Sequence, residues 1–156
     1  MNTLDIDTCL KTIPDFLGAF PFNELPTKPN GDFSVVINTN ADIGEHWLAL
    51  VRKDGTSYFF DSYGRGPNDE LFTEDFRVAV SNYIEEPSTF NNDWFQQITS
   101  NACGDYCVYF VKMMINNDFN SLLSVFGENL KYNDKYVIKY VNKLQYYRMC
   151  FICTFL

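Results

Sequence analysis

The sequence predicts an α+β fold in which a central helix opening at a cysteine packs on a mainly antiparallel sheet. Three observations carry this expectation. Residues 33–38, 46–52 and 56–61 are short runs rich in β-branched and aromatic side chains, and Lys53-Asp54-Gly55 joins the last two. An Asp-Gly pair between such runs marks a hairpin. From Cys103 onward, Tyr106, Cys107, Phe110, Val111 and Met114 recur at three- and four-residue spacing, the period of a helix that buries one face. Similar periods run over residues 69–83 and 133–145.

A chain of 156 residues is expected to form a single domain, 1–156, that buries roughly two thirds of the surface its unfolded chain exposes. Aromatic residues make up 17% of it, enough for a rich core. The net charge of −8 repels phosphate backbones and disfavours nucleic acid as a partner. Lys131, Lys135, Lys139, Lys143 and Arg148 fall at near-helical spacing and read as a solvated helix face. Five cysteines is an odd number, and neither a leader-like start nor an apolar run of membrane-spanning length is present. These features point to a reduced, intracellular setting with no membrane partner. Cys103-x3-Cys107 and Cys150-x2-Cys153 lie in apolar runs without the knuckle residues of zinc turns, so no metal and no cofactor is expected.

In chain order, Leu4, Cys9, Leu10 and Ile13 predict an opening helix that ends before Pro14, because the residue preceding a proline is pushed out of the α region. Residues 16–26, broken by Gly18, Pro21 and Pro26, read as a loop packed on the body, and residues 27–32 as a turn. The three strands follow, with a polar turn at 39–44 and an exit loop at 62–67. The helix of residues 69–83 places Leu71, Phe72, Phe76 and Val80 on one face and stops at 85–88. Residues 90–97 read as loop with a short strand. Past the Cys103 helix, 116–118 is a break before an apolar piece at 122–126, which Gly127 closes. The apolar tail 149–156 is too short to span a membrane and is expected to be a terminal strand or a docking segment.

Cys103 in the first turn of its helix is favoured as a thiolate by unpaired N–H groups and the helix dipole, and the thiolate is the nucleophile. A Gln a few residues upstream, with the Cys103 N–H, suits an oxyanion. The chain has one histidine, His46, so a histidine-assisted cysteine hydrolase must use it. Asp61 ends the partner strand of the same hairpin, where a carboxylate can take the other imidazole N–H. Taken singly, each residue has an ordinary structural role; their order and setting give them joint weight.

Glu45-His46-Trp47-Leu48-Ala49, then Tyr58-Phe59-Phe60-Asp61-Ser62-Tyr63-Gly64, then Gln96 through Cys103-Gly104-Asp105-Tyr106-Cys107, resemble the adenovirus maturation protease (adenain) family. More distantly they resemble the SUMO-deconjugating proteases of the same clan. Residues 20–26 and 36–38 are similar to segments of adenain-like enzymes from Polinton-type elements and related viruses. The resemblance covers roughly residues 16–114. It implies a papain-like fold in permuted order, a thiol endopeptidase, Cys103 as nucleophile, His46 as base and acid, and Asp61 as its partner. It implies Gln96 at the oxyanion, with Gln97 as the SUMO-protease alternative, and a narrow substrate channel at Trp47 and Gly104.

The implied substrate is a polypeptide, the structural precursors of a virus cut at small or Gly-containing sites during particle maturation, inside the virion or the infected cell. Family members also use DNA and an activating peptide. The acidic charge disfavours DNA here; the peptide stays a candidate partner, with Cys9, Cys107, Cys150 and Cys153 unassigned. Two other functions fit the same residues: deconjugation of a ubiquitin-like modifier, and a catalytically silent binding domain.

Overall fold

The computed structural model describes residues 1–40 and 46–153, the side chains of 147–153 excepted. Glu45 of the histidine motif therefore lies outside the described residues, as do the side chains of Arg148 of the basic stripe and of Cys150 and Cys153. The chain runs α1 (Thr3–Leu10), β1 (Phe16–Pro21), a single 3-10 turn (Phe22–Glu24), β2 (Phe33–Asn38), β3 (Trp47–Lys53) and β4 (Thr56–Phe60). It continues through α2 (Glu74–Ser81), β5 (Ser88–Phe90), α3 (Cys103–Met114), α4 (Phe119–Leu123) and α5 (Leu130–Cys153).

The five strands form one sheet in the order β1-β2-β3-β4-β5. Its centre is antiparallel as expected, with Val36 opposite Ala49 and Ala49 opposite Phe60. The β3–β4 turn works because Asp54 and Gly55 both have positive φ, 51° and 78°, the backbone a tight hairpin needs. The edges differ from the expectation of a mainly antiparallel sheet: β1 pairs parallel with β2 and β5 parallel with β4.

Residues 16–21, read as loop, are a strand. Gly18 at φ 130° and a register shift between Phe16 and Ala19 break its alternation, and Pro21 is tolerated at the end of an edge strand.

Alternation along the strands sends side chains to two cores. Val36, Trp47, Ala49, Val51 and Phe60 face α1, α3 and α5, whereas Val35, Ile37, Leu48, Leu50 and Phe59 face α2 through Phe72, Phe76 and Val80. Strand β2 is buried along its whole length, which explains its unbroken apolar run. Helix α3 is buried nearly all round, Tyr106 to Val111 without a gap. Phe60 stacks on its Phe110 at 4.7 Å between centroids. Lys53 Nζ closes the far end, donating to the carbonyl of Met114 at 2.7 Å.

Helix boundaries shift where caps decide them. Thr73 caps α2 by accepting from Phe76 N, so the helix starts at Glu74 rather than 69. Asp118 caps α4 in the same way, drawing that element to Phe119–Leu123 from the expected 122–126. Helix α5 is longer than 133–145: it reaches Cys153, so residues 149–153 are helical rather than a terminal strand. Lys131, Lys135, Lys139 and Lys143 are exposed along it. Among the described residues, no helix is long and apolar enough to cross a membrane.

Phe60 has no exposed surface and joins β4 to α3. Replacing it with Ala is expected to destabilise the protein by about 3–5 kcal/mol. The change would be read as a lower urea midpoint at unchanged slope; a shift smaller than that of Val78→Ala, at an exposed position, would refute this account of the core.

Candidate active site

Helix α3 begins at Cys103 with no side-chain cap; Ala102 stands at the N-cap position. The first-turn N–H groups are therefore left for the thiol, whose charged form is favoured by the His46 ring and by the backbone N–H groups of Trp47 and Gly104. Burial pushes the half-buried thiol up. The His46 hydrogen bond and charge, with these N–H groups, outweigh burial and hold its pKa below the ordinary thiol range. Cys107, one turn on, has no exposed surface, and burial followed by the charges of Cys103 and two carboxylates raises it far above that range.

His46 immediately precedes β3 and is 7% exposed. Its Nε2 donates to Asp61 Oδ1 at 2.7 Å, which leaves Nδ1 to face Cys103. Burial lowers its pKa, but the bonds to Asp61 and Cys103 more than offset this and the net shift is upward.

Asp61, with no exposed surface, accepts from His46 and from Tyr63 N (2.9 Å) on Oδ1, and from Arg65 Nε (2.5 Å) on Oδ2. Burial raises its pKa, while His46 and then Arg65 lower it further, so the carboxylate stays charged.

A loop-to-loop clasp fixes this carboxylate. Asn91 accepts from Asp61 N at 3.0 Å and donates to Asp61 O at 2.6 Å, while Phe95 N donates to Ser62 O at 2.8 Å. Gly64, at φ 71°, lies so close to Asn92 and Asp93 that a Cβ there would meet backbone atoms at 2.8 Å. The turn therefore needs glycine for both shape and space.

The clasp also delivers Gln96, which is 1% exposed. Its Nε2 donates to Ser100 O at 2.8 Å and to Tyr63 Oη at 3.2 Å, and its Oε1 accepts from Ser62 Oγ at 2.7 Å. A backbone carbonyl can only accept, so the amide's orientation is fixed by Ser100. The Trp94 indole N–H donates to Gln96 O. Gln97 points elsewhere, giving its Nε2 to Asp134 of α5 at 3.0 Å.

Of the two candidate glutamines, Gln96 lines a cleft of about 380 Å³ with His46, Trp47, Tyr63, Arg65 and Cys103. Trp47 donates through Nε1 to Met1 O at 3.1 Å. Gly104 is buried and does not line the cleft; a Cβ on it would meet Met1 Cβ at 2.9 Å, so its missing side chain lets Met1 pack on the start of α3.

The sequence-predicted residues His46, Asp61, Cys103, Gln96 and Trp47 thus come together, and Gln97 does not join them. Gly104 lies buried under Met1 rather than along the cleft, because Met1 fills the space its missing side chain leaves. Sequence reasoning missed Arg65, Asn91 and the contact made by Tyr63. Tyr63 stood inside a quoted motif; nothing in the sequence singled out Arg65 or Asn91. Among the described residues, no group of three or more His, Cys, Asp and Glu gathers as for a metal ion. A thiol lowered by an imidazole, a buried carboxylate behind that imidazole and an oriented amide N–H are the groups nucleophilic acyl transfer uses.

No protein-family model and no curated protein matches the chain. Among solved structures it is similar to the crystal structure of ASFV pS273R protease, with a TM-score of 0.53 at 17% identity, over 85% of this chain. The chain spans 65% of that protease's length. A likeness at this identity is one of fold: a mixed α+β architecture shared with a protease.

Because its folded pKa is depressed, Cys103 should remain thiolate as pH falls below the range where ordinary thiols, pKa about 8.5, are already protonated. At about pH 6 an electrophilic thiol probe read by mass spectrometry is expected to label Cys103 first and Cys107 not at all. His46→Ala should abolish that selectivity. Equal, slow labelling of all cysteines in the unmodified protein would contradict the lowered pKa.

Proposed function

We propose that the chain is a thiol endopeptidase with the permuted papain-like arrangement of the adenain-like enzymes. The observation that carries the proposal is the chain of contacts from the buried Asp61 carboxylate through His46 to the Cys103 thiol. The Cys103 thiolate adds to the scissile carbonyl carbon; the new S–C bond displaces the π pair onto oxygen, where Gln96 Nε2 and the Cys103 N–H receive it. His46 gives its proton to the leaving nitrogen, and the C–N bond breaks. Water, deprotonated by the same ring, then cleaves the thioester and frees the thiol. Asp61 holds the ring by Nε2 throughout, keeping Nδ1 toward the reacting atoms and stabilising the imidazolium.

The substrate class follows from the resemblance. We assign it as structural precursor proteins of a virus, cut at small or Gly-containing sites during particle maturation, in the virion or the infected cell. A cleft walled by Trp47 suits small residues beside the cut. An activating peptide fits this reading as a partner, and a surface of charge −8 argues against DNA in that role.

The test is incubation with a mixed peptide library and mass spectrometry of the products. Internal amide cleavage is expected, enriched at Gly-containing sites and lost in Cys103→Ser. Gln96→Ala should lower kcat by about 10²–10³-fold, the cost of removing one oxyanion donor, while Gln97→Ala should change it little. Cleavage that survives Cys103→Ser, or equal losses at the two glutamines, would overturn the assignment.

A further inference from the structure

In the resting site, both hydrogens on Gln96 Nε2 already have acceptors: the carbonyl of Ser100 at 2.8 Å and the hydroxyl oxygen of Tyr63 at 3.2 Å. Since Tyr63 Oη accepts that hydrogen, its own O–H is directed elsewhere, and Tyr63 lines the same cleft as Cys103 and Gln96. The ring cannot swing freely. It stacks on His46 at 4.8 Å and 22°, meets the Trp94 edge at 5.2 Å, and carries the Arg65 guanidinium at 5.4 Å from its centroid.

Resting on the peptidase reading, we propose that Tyr63 is a further catalytic residue, its hydroxyl donating to the oxyanion beside Gln96 and the Cys103 N–H. When the thiolate adds to the carbonyl, the oxygen that gains the electron pair enters between Nε2 and Oη. The Gln96 hydrogen moves from Tyr63 Oη to that oxygen, and the Tyr63 hydrogen turns to it as well. Only hydrogen bonds exchange, and the phenol keeps its proton. Burial, then the negative charges of Cys103 and Asp61, hold the Tyr63 pKa above its ordinary value, so the group remains a donor across the working pH range. A donor already held at the site by stacking has little reorganisation to undergo when charge develops.

Tyr63→Phe tests this, because it keeps the ring on His46 and removes only the hydroxyl. Three readouts separate the roles: peptide cleavage, affinity for an acetylated peptide ending in Gly-glycinal, and alkylation of Cys103 by iodoacetamide. The aldehyde adds to the thiol and forms an oxyanion. Iodoacetamide is displaced at a saturated carbon and forms none.

The expected result is a kcat about 100-fold lower at similar KM, using the cost of one oxyanion donor. Glycinal affinity should fall by a like factor and alkylation should continue at the unmodified rate. A faster kcat would show that the hydroxyl merely competes for Gln96, and would overturn the proposal. So would an equal loss of alkylation and turnover, which would place the role in holding His46. Turnover and aldehyde binding unchanged in Tyr63→Phe, while Gln96→Ala still loses both, would remove this proposal alone. An unmodified protein that is alkylated at Cys103 yet neither cuts peptides nor binds the glycinal peptide would remove the peptidase reading with it.

Discussion

A carboxylate with no exposed surface is the constraint around which this molecule is arranged. Asp61 cannot stay charged in the interior unless donors replace its lost water. It has three: the His46 ring, the Tyr63 amide and Arg65. Those donors come from the start of β3 and from the loop after β4, so satisfying one buried group fixes where the imidazole points. The same group explains why the loop is tight. Tyr63 N and Arg65 Nε reach back to Asp61 only if the chain turns at Gly64, whose positive φ and close approach to Asp93 exclude a side chain. Charge burial, turn geometry and ring placement are thus one event.

Helix α3 meets that arrangement from the sheet face that carries Trp47 and Phe60. Its buried flank sets the depth at which Cys103 emerges, because Phe110 stacks on Phe60, the residue just before Asp61. Two thiols four positions apart on this helix then acquire opposite characters. Cys103, at the uncapped first turn, gains N–H donors and an imidazole, whereas Cys107, a turn deeper, meets full burial and, after it, the negative charges of Cys103, Asp61 and Asp105. The difference owes nothing to residue type and everything to position along the helix.

Local signals made the centre of the fold legible. Asp54-Gly55 announces a hairpin because both positions need positive φ, and the Cys103 helix announces itself because its apolar period is unbroken. The solitary histidine and the Asp at the end of the paired strand could be joined in sequence since a two-residue turn fixes their register. What stayed hidden depends on contacts between distant segments. Strand β1 looked like loop because Gly18 and Pro21 are breakers when considered alone; pairing with β2 overrides them. Asn91 is an ordinary loop residue until it is seen to hold both backbone groups of Asp61. Arg65 likewise has no local mark, since its role exists only through the carboxylate four residues back. The resemblance to adenain-like enzymes favoured Gln96 over Gln97, and the contacts supply a physical distinction: one amide is turned to the cleft and the other is spent on α5.

Through that contact α5 supports the segment beside the cleft. Its Asn133 donates to Phe95 O at 3.2 Å, and its Asp134 accepts from Gln97 Nε2 at 3.0 Å. Tyr106 of α3 places its single hydroxyl hydrogen between Phe95 O, at 2.8 Å, and Asp134 Oδ1, at 3.0 Å. Phe95 and Gln97 flank Gln96 in the chain, so the amide facing the cleft is held on both sides by groups reaching from two helices, while Ser62 holds its oxygen. A donor to a developing charge is useful only if it does not have to be reoriented, and anchoring the residues on either side of Gln96 adds to the hold of Ser100 and Ser62 on its amide. Asn133 and Asp134, buried on α5, thus tie down the segment that carries Gln96, and Asn133 also clasps Gly127 through both ends of its amide. Gln97, which lies outside the cleft, ties the same segment to α5, while the Gln96 amide itself is held by Ser62 and Ser100.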